Sequence, residues 1–314
     1  MPADDARVRT VFLGSGGFGR ESLQVLAAHD DIRLVGVVTA PPRPAGRSPR
    51  PTRTPIDAAA EALGIHPILT PERLRSPESI AAVLDLRPDL LVLADYGQIV
   101  PVALLGRQHG ALNLHPSLLP RHRGATPIPA AILAGDVETG VTLMRMDTGL
   151  DTGPIVAQER FSLAGTEIAP SLEATLAVLA GRLLDHHLGP WIRGELVARP
   201  QPETGNTLTR PLRREDGRLD PRKSAMGLER QVRAYQPWPG SFVDTAVGRI
   251  VVWAASAGTT QAGIGAFDQR GVGVGEGEHL GLIDVQPAGG KRMTWEAFLR
   301  GKPSIVGSRI VAGP

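Results

Sequence analysis

The stretch that most constrains this chain is VRTVFLGSGGFGRESLQVLAAHD, residues 8–30. An apolar, β-rich run enters a glycine-rich turn and leaves it as a helical pattern, which is the opening of a strand–turn–helix unit. The same alternation continues. IRLVGVVTA reads as a second buried strand, and TPIDAAAEALG as a helix with Pro55 near its start and Gly64 past its end. SPESIAAVLDLR is a further helix, DLLVLADYG a strand, and GALNLHP a short strand stopped by proline. Strands alternating with helices require a mostly parallel sheet covered on both faces. ETGVTLMRMDTGLDTGPIVAQ then reads as strand, turn and strand, and SLEATLAVLAGRLLDHHLG as one long helix.

The texture changes after residue 189. Residues 190–211, PWIRGELVARPQPETGNTLTRP, carry four prolines and little periodicity, as a linker would. Beyond them lie one amphipathic helix around SAMGLERQVRAY and the short strands RIVVWAAS, GVGVG and LGLIDVQ between glycine turns. The expected fold is α/β: a Rossmann-like, mostly parallel sheet domain over 1–189, a linker over 190–211, and a small C-terminal β-barrel, OB-like, over 212–314.

Composition matters mainly for what it excludes. The sequence has no cysteine, so disulfides, cysteine-ligated zinc and thiol catalysis are all ruled out. No run approaches the 18 or so apolar residues of a membrane span. The polar, acidic start MPADDARVRT does not read as a signal peptide, and a cytoplasmic monomer is expected. Residues 1–211 hold 20 Lys and Arg against 22 Asp and Glu, whereas residues 212–314 hold 14 against 10. The basic excess therefore lies in the last third, where it permits a polyanionic partner without requiring one.

Two motifs invite misreading. Gly14, Gly16 and Gly19 satisfy the dinucleotide fingerprint between a strand and a helix, but the second strand ends in VVTAPPRP. It offers no acid to hold a ribose hydroxyl, so a nicotinamide-dependent oxidoreductase stays a remote alternative. A tight turn with a phosphate or carboxylate near the helix start explains those glycines as well. MDTGLDTG repeats the Asp-Thr-Gly triplet of aspartic proteases, yet two triplets four residues apart cannot face each other. What survives is a glycine-hinged turn carrying Asp147 and Asp151. Among the eight histidines there is no HExxH, and no metal site is expected.

Asn113 and His115 stand two apart in a strand, so they point to the same side of the sheet. Pro116 keeps His115 extended. Both emerge where open α/β sheets bind ligands, at a strand's carboxyl end. The block NLHPSLLPRHRG, followed by MDTGLDTG with Asp151 placed 36 positions after His115, resembles the signature of the formyltransferases that use 10-formyltetrahydrofolate. LADYGQIVP and RPAGR continue the resemblance. RAYQPWPGSF and VQPAGGK are similar to the members of that family whose acceptor is methionyl-tRNA.

The resemblance implies a catalytic trio of Asn113, His115 and Asp151, and a folate-contacting loop of Ser117, Leu118, Leu119 and Pro120. It implies 10-formyltetrahydrofolate as co-substrate and methionyl-initiator tRNA as partner, with formyl transfer to the methionine α-amino group. A sugar nucleotide or purine precursor is the alternative acceptor, and a non-catalytic RNA-binding protein a more distant reading. The trio suits the chemistry. An oxyanion forms when an amine attacks a formyl carbon, and amide and imidazolium donors can stabilise it. A carboxylate beside the imidazole would raise its pKa and keep it cationic near neutrality. The loop 41–55 carries Arg43, Arg47, Arg50 and Arg53 without an acid, and the resemblance assigns them to tRNA. Three departures from the family pattern stand out: Asp95 beside the expected pterin pocket, His122 where an aromatic residue is common, and RLDPRKSA without the usual tryptophan.

Overall fold

The computed structural model describes residues 7–44 and 50–311, which fall into two compact units. Residues up to Pro127, Glu138–Ser162 and Leu172–Arg210 form the first. Ile128–Val137, Leu163–Ser171 and the chain from Pro211 onward form the second.

The opening unit appears as expected. Strand β1 (Val8–Leu13) passes through a 3-10 turn at Gly17–Gly19 into α1 (Arg20–Ala28), and β2 (Ile32–Val38) follows. Two short strands, β3 (Arg43–Pro44) and β4 (Pro51–Thr52), pair antiparallel across the basic loop. Helix α2 (Pro55–Ala62) starts on Thr54, whose hydroxyl accepts the Asp57 N–H at 3.0 Å, and has proline in its first turn. Gly64 ends it at φ +67°. Next come β5 (Ile68–Leu69), α3 (Pro77–Asp85), β6 (Leu90–Ala94), α4 (Val102–Leu105) and β7 (Ala111–His115). Then β8 (Arg123–Gly124), α5 (Pro127–Ala134), β9 (Glu138–Arg145), β10 (Ile155–Ser162), α6 (Ala169–Ile192) and β11 (Leu208–Thr209) complete the segment.

Seven of these strands form one sheet in the order β10-β9-β7-β6-β1-β2-β5. Its five central and edge strands from β7 to β5 run parallel, and β9 is antiparallel to both β7 and β10. The continuous apolar reading of LLVLA has a direct cause, since all of β6 is buried between two covered faces. The order reverses at β1, with β2 on one side and β6 on the other. That reversal opens a crevice at the carboxyl ends of β1 and β6, one strand from the end of β7.

Residues 190–211 behave differently from a plain linker. Helix α6 runs to Ile192, past Pro190. Arg199 bridges to Ile155 by reciprocal backbone bonds of 2.7 and 2.8 Å, and β11 pairs in parallel with β8. The prolines break periodicity without preventing this pairing, because the ladder uses only the residues between them.

In the second unit, α7 (Ala225–Ala234) is capped by Ser224, and β12 (Ser241–Thr245), β13 (Gly248–Thr259), β14 (Gly271–Val274), β15 (Glu278–Pro287) and β16 (Met293–Thr294) precede α8 (Trp295–Gly301). The strands make an antiparallel sheet in the order β12-β13-β15-β14, with β16 on β15, consistent with the OB-like expectation. Its core joins Leu228 and Val232 of α7 with Val252, Leu280, Trp295 and Phe298. Neither β12 nor α8 is legible in the sequence, because each is short and flanked by proline or glycine. No helix among the described residues is long and apolar enough to cross a membrane.

Two glycines separate backbone strain from steric exclusion. Gly64 has open space where a Cβ would lie, whereas at Gly124, φ +102°, a Cβ would sit 2.3 Å from the Thr209 carbonyl of β11. Gly64→Ala should cost about 1 kcal/mol, the penalty of a left-handed residue. Gly124→Ala should cost roughly 2–4 kcal/mol, since the β8–β11 ladder must move. Urea unfolding of the two variants beside the parent checks the order, and equal losses would contradict it.

Candidate functional site

Strand β7 presents Asn113 and His115 at the sheet's carboxyl edge, in register with Met144 and Thr142 of β9. The Asn113 amide is half-buried and makes no hydrogen bond among the described residues. His115 is only 5% exposed. Its Nε2 lies 2.9 Å from the His122 carbonyl, so in that contact Nε2 carries the proton and donates. Nδ1 is left to titrate, and it faces Asp151 Oδ2 at 3.7 Å. Of the three residues expected to act together, His115 and Asp151 therefore meet, and Asn113 stands on the same face of β7 as His115.

The carboxylate is held from outside that pair. Asp151 sits at φ +50°, a conformation that disfavours non-glycine residues, and its Oδ2 accepts the Gly124 N–H at 2.7 Å. The two acids of MDTGLDTG take separate tasks. Asp147 accepts the Gly149 N–H at 3.0 Å and the Thr152 hydroxyl at 2.8 Å, folding the turn that carries Asp151.

The loop after Pro116 is organised by a buried threonine. Thr142 donates to the Ser117 carbonyl at 2.6 Å and accepts the Leu119 N–H at 3.1 Å. Gln158 donates to both Thr142 and the Leu119 carbonyl, each at 2.9 Å. The Ser117 hydroxyl donates to the Arg121 carbonyl at 2.6 Å. Of the four loop residues expected to meet folate, Ser117, Leu119 and Pro120 are buried, and Leu118 alone is half-exposed. The Ser117 and Leu119 carbonyls and the Leu119 N–H are likewise committed within the protein, so the half-exposed Leu118 is the loop side chain best placed to meet a ligand.

His122 is buried at φ +57°, and its N–H donates to the Thr207 hydroxyl at 2.7 Å. The position favours a polar side chain because Thr207 Oγ1 also stands 3.3 Å from His122 Nδ1.

The electrostatics revise one expectation. Burial lowers the His115 pKa, and although Asp151 and the His122 carbonyl both favour the cation, they do not overcome the loss of hydration. In place of the expected resting cation stands a neutral imidazole. Asp151 Oδ2 is shared with the Gly124 amide and stands beyond hydrogen-bond distance, so its attraction only partly offsets desolvation.

The glycine turn is filled by the protein itself. A Cβ at Gly14 or Gly19 would lie 2.7 or 2.8 Å from the Ala94 carbonyl, and one at Gly16 would overlap Asp95 Oδ2 at 1.6 Å. These glycines admit the end of β6 and the Asp95 carboxylate. Glu173 of α6 accepts the Phe18 N–H at the start of the helical turn. Loss of hydration pushes Asp95 upward, and the Glu173 pKa rises through burial and the neighbouring Asp95 charge. The anion site that a dinucleotide would need is occupied by the chain's own carboxylates.

The arginine loop is only partly described. Arg43 lies 3.3 Å from Glu72, and Arg53 lies 3.5 Å from Glu61 and 3.8 Å from Asp57. Both guanidiniums are exposed, and such surface pairs are worth ~0–1 kcal/mol, too little to withhold them from a polyanion. Arg50 has a partner of its own, and Arg47 lies outside the described residues. Among the described residues no cluster of His, Asp and Glu could hold a metal.

The residues that sequence reasoning missed lie in the stretch read as linker. Gln201 bonds to Arg123 and to the turn holding Asp151, and Thr207 and Thr209 brace β8. No motif or periodicity marks them. Beside them a depression of about 400 Å³ is lined by Arg123, Thr152, Pro154, Pro200, Gln201 and Asn206.

Comparison with known proteins bears on this arrangement. Residues 8–186 match the family described as formyl transferase, and residues 211–303 match the formyl transferase C-terminal domain. The chain is 41% identical over 315 residues to the methionyl-tRNA formyltransferase of Myxococcus xanthus, covering 98% of this chain and 100% of that protein. It is 43% identical over 313 residues to the methionyl-tRNA formyltransferase of Gluconacetobacter diazotrophicus, covering 96% and 99%. Among solved structures, HypX from Aquifex aeolicus in complex with tetrahydrofolic acid aligns with a TM-score of 0.62 at 16% identity, which is a likeness of fold. That alignment covers 93% of this chain and 47% of HypX, so the chain spans about half of that protein.

A lowered His115 pKa has a defined consequence. The native imidazole stays neutral below its ordinary value of 6.5, so the group contributes stability above that pH and loses it as pH falls through the folded pKa. Imidazole 15N resonances should place the His115 midpoint below 6.5, and Asp151→Asn should lower it further by removing the favourable charge. A midpoint above 6.5 in the parent protein would overturn this account.

Proposed function

Because this chain belongs to the formyl transferase family through both its N-terminal and C-terminal domains, we propose that it transfers the formyl group of 10-formyltetrahydrofolate to the α-amino group of methionyl-initiator tRNA. The observation that carries this reading is the identity of about 40% with proteins of that activity, extending through the C-terminal third as well as the site. An acceptor no larger than a sugar nucleotide would give no reason for a basic second unit.

The reaction forms a bond between the amine nitrogen and the formyl carbon, then breaks the bond from that carbon to folate N10. An oxyanion develops between the two steps. Asn113, whose amide has no partner among the described residues, donates to it. Losing such a donor costs roughly 10² to 10³ in rate. His115 starts neutral and takes the proton that the amine sheds. The imidazolium so formed stands beside Asp151, which stabilises it, and the proton returns to the departing folate nitrogen. Proton transfer of this kind contributes about 10² to 10⁴. Ser117, Leu118, Leu119 and Pro120 form the wall that receives the folate, with Leu118 as its half-exposed side chain.

The tRNA is met by Arg43, Arg47, Arg50 and Arg53, with the net positive last third adding attraction without sequence preference.

Formyl transfer from 10-formyltetrahydrofolate to charged initiator tRNA is the direct test. His115→Ala and Asp151→Asn should each lose about 10² to 10⁴ in kcat while remaining folded under the assay conditions. Turnover within a few-fold of the parent in either variant would remove that residue from the proposal. For the arginines, Arg43→Ala combined with Arg53→Ala should weaken tRNA binding and flatten its dependence on log salt by about 1 for each phosphate no longer neutralised. An unchanged salt slope would mean that neither guanidinium meets the tRNA backbone.

A further inference from the structure

We infer that Gln201 is a positioning residue, holding the Asp151 carboxylate against His115 by cross-linking the turn that carries Asp151 to Arg123. The inference rests on the formyl transfer reading for its kinetic consequence alone.

All four polar positions of the Gln201 amide are used. Nε2 donates to the Asp151 carbonyl at 2.7 Å and to the Gly153 carbonyl at 2.8 Å. Oε1 accepts from Arg123 Nε at 3.0 Å and from Nη2 at 2.6 Å. The partners fix which end is which, since a reversed amide would set an oxygen against two carbonyls and an NH2 against a guanidinium. Neither glutamate nor an apolar side chain could replace it, and asparagine is one methylene too short.

What this cross-link does follows from the backbone it grips. Asp151 occupies the left-handed region at φ +50°, which disfavours a non-glycine residue and so needs support from its surroundings. Gln201 supplies that support at the carbonyl of Asp151 itself and at that of Gly153, two residues on. Its other arm holds the side chain of Arg123, immediately before Gly124, whose N–H binds the carboxylate oxygen facing His115. One side chain therefore sets the distance between the two loops that meet at that oxygen. Gln201 touches neither His115 nor Asn113, so its effect must pass through Asp151.

The strand pairing behind Gln201 makes it a fixed anchor. Arg199 is bridged to Ile155, and the Thr207 carbonyl accepts the Arg123 N–H at 2.9 Å. A positioning residue on a mobile tether would hold nothing. The segment between the two pairings is anchored at both ends to the elements it aligns.

The test compares the full-length parent protein with Gln201→Met, Asp151→Asn and the double variant, following the His115 imidazole titration and formyl transfer. The charged or titratable groups acting on His115 are Asp151 and His122, and Gln201 carries no charge itself. A fall in the midpoint therefore reports a moved carboxylate, since water admitted to the site would raise it instead. In Gln201→Met the midpoint should fall by roughly one unit, as expected when an opposite charge within 4–6 Å is withdrawn. The double variant should titrate like Asp151→Asn alone, because the two substitutions remove the same interaction. Transfer should slow about 10- to 100-fold in kcat with KM for the folate unchanged, the scale of a misplacement near 1 Å. Gln201→Asn should fall between Gln201→Met and the parent in both measurements, and it decides the matter should Gln201→Met not fold. A folded Gln201 variant with the parent's midpoint, or an effect that adds to that of Asp151→Asn, would overturn the inference. Absence of transfer in the parent protein would refute the assigned reaction, while the titration would still decide the role of Gln201.

Discussion

One carboxylate oxygen ties the site together. Asp151 Oδ2 accepts the Gly124 amide and faces the His115 imidazole, so it joins the end of β7, the loop that follows it and the turn between β9 and β10. Each of those elements is placed by something else: β7 by its register in the parallel sheet, Gly124 by its pairing with β11, and the turn by the Asp147 cap. The site is the point where three independently supported backbones are required to agree. That is why a residue as strained as Asp151, and a glycine as hemmed in as Gly124, both occur there.

The same arrangement explains the protonation state. A buried imidazole with one nitrogen committed to a backbone carbonyl has a single nitrogen left for proton exchange. Burial keeps that nitrogen unprotonated at rest, and the neighbouring carboxylate makes the cation accessible once a proton arrives. An imidazole tuned to either extreme would serve only half of a reaction that must take a proton and return it. Here the opposing influences of burial and charge sit on one ring.

A comparable economy governs the glycine turn. Its sequence matches a nucleotide-binding pattern, yet the close approaches that require glycine are to Ala94 and Asp95 of the chain itself, and the helix start is met by Glu173. Strand–turn–helix geometry demands small residues whatever lies beyond the turn. Only the neighbouring side chains decide whether the helix start is available to a ligand.

How much of this is readable in the sequence depends on the range of the interactions concerned. Local rules locate β1, α2 and its glycine stop, and the alternation that puts Asn113 and His115 on one face. The basic loop and the strands β13, β14 and β15 of the second unit are likewise visible in composition and period. Pairing over long range is not. Gln201, Thr207 and Glu173 have no signature, since a lone amide or hydroxyl in an irregular segment, or a lone acid on a helix, looks the same wherever it points. The His115 pKa takes the opposite sign from the one its sequence neighbours suggest, because sequence reveals a possible partner but not the depth of burial. Sequence alone therefore determined which chemical groups exist, on which strands and turns, and with which local backbone. Tertiary structure decided their distances, hydration and supports, because those depend on chain segments brought together from far apart, which no local pattern encodes.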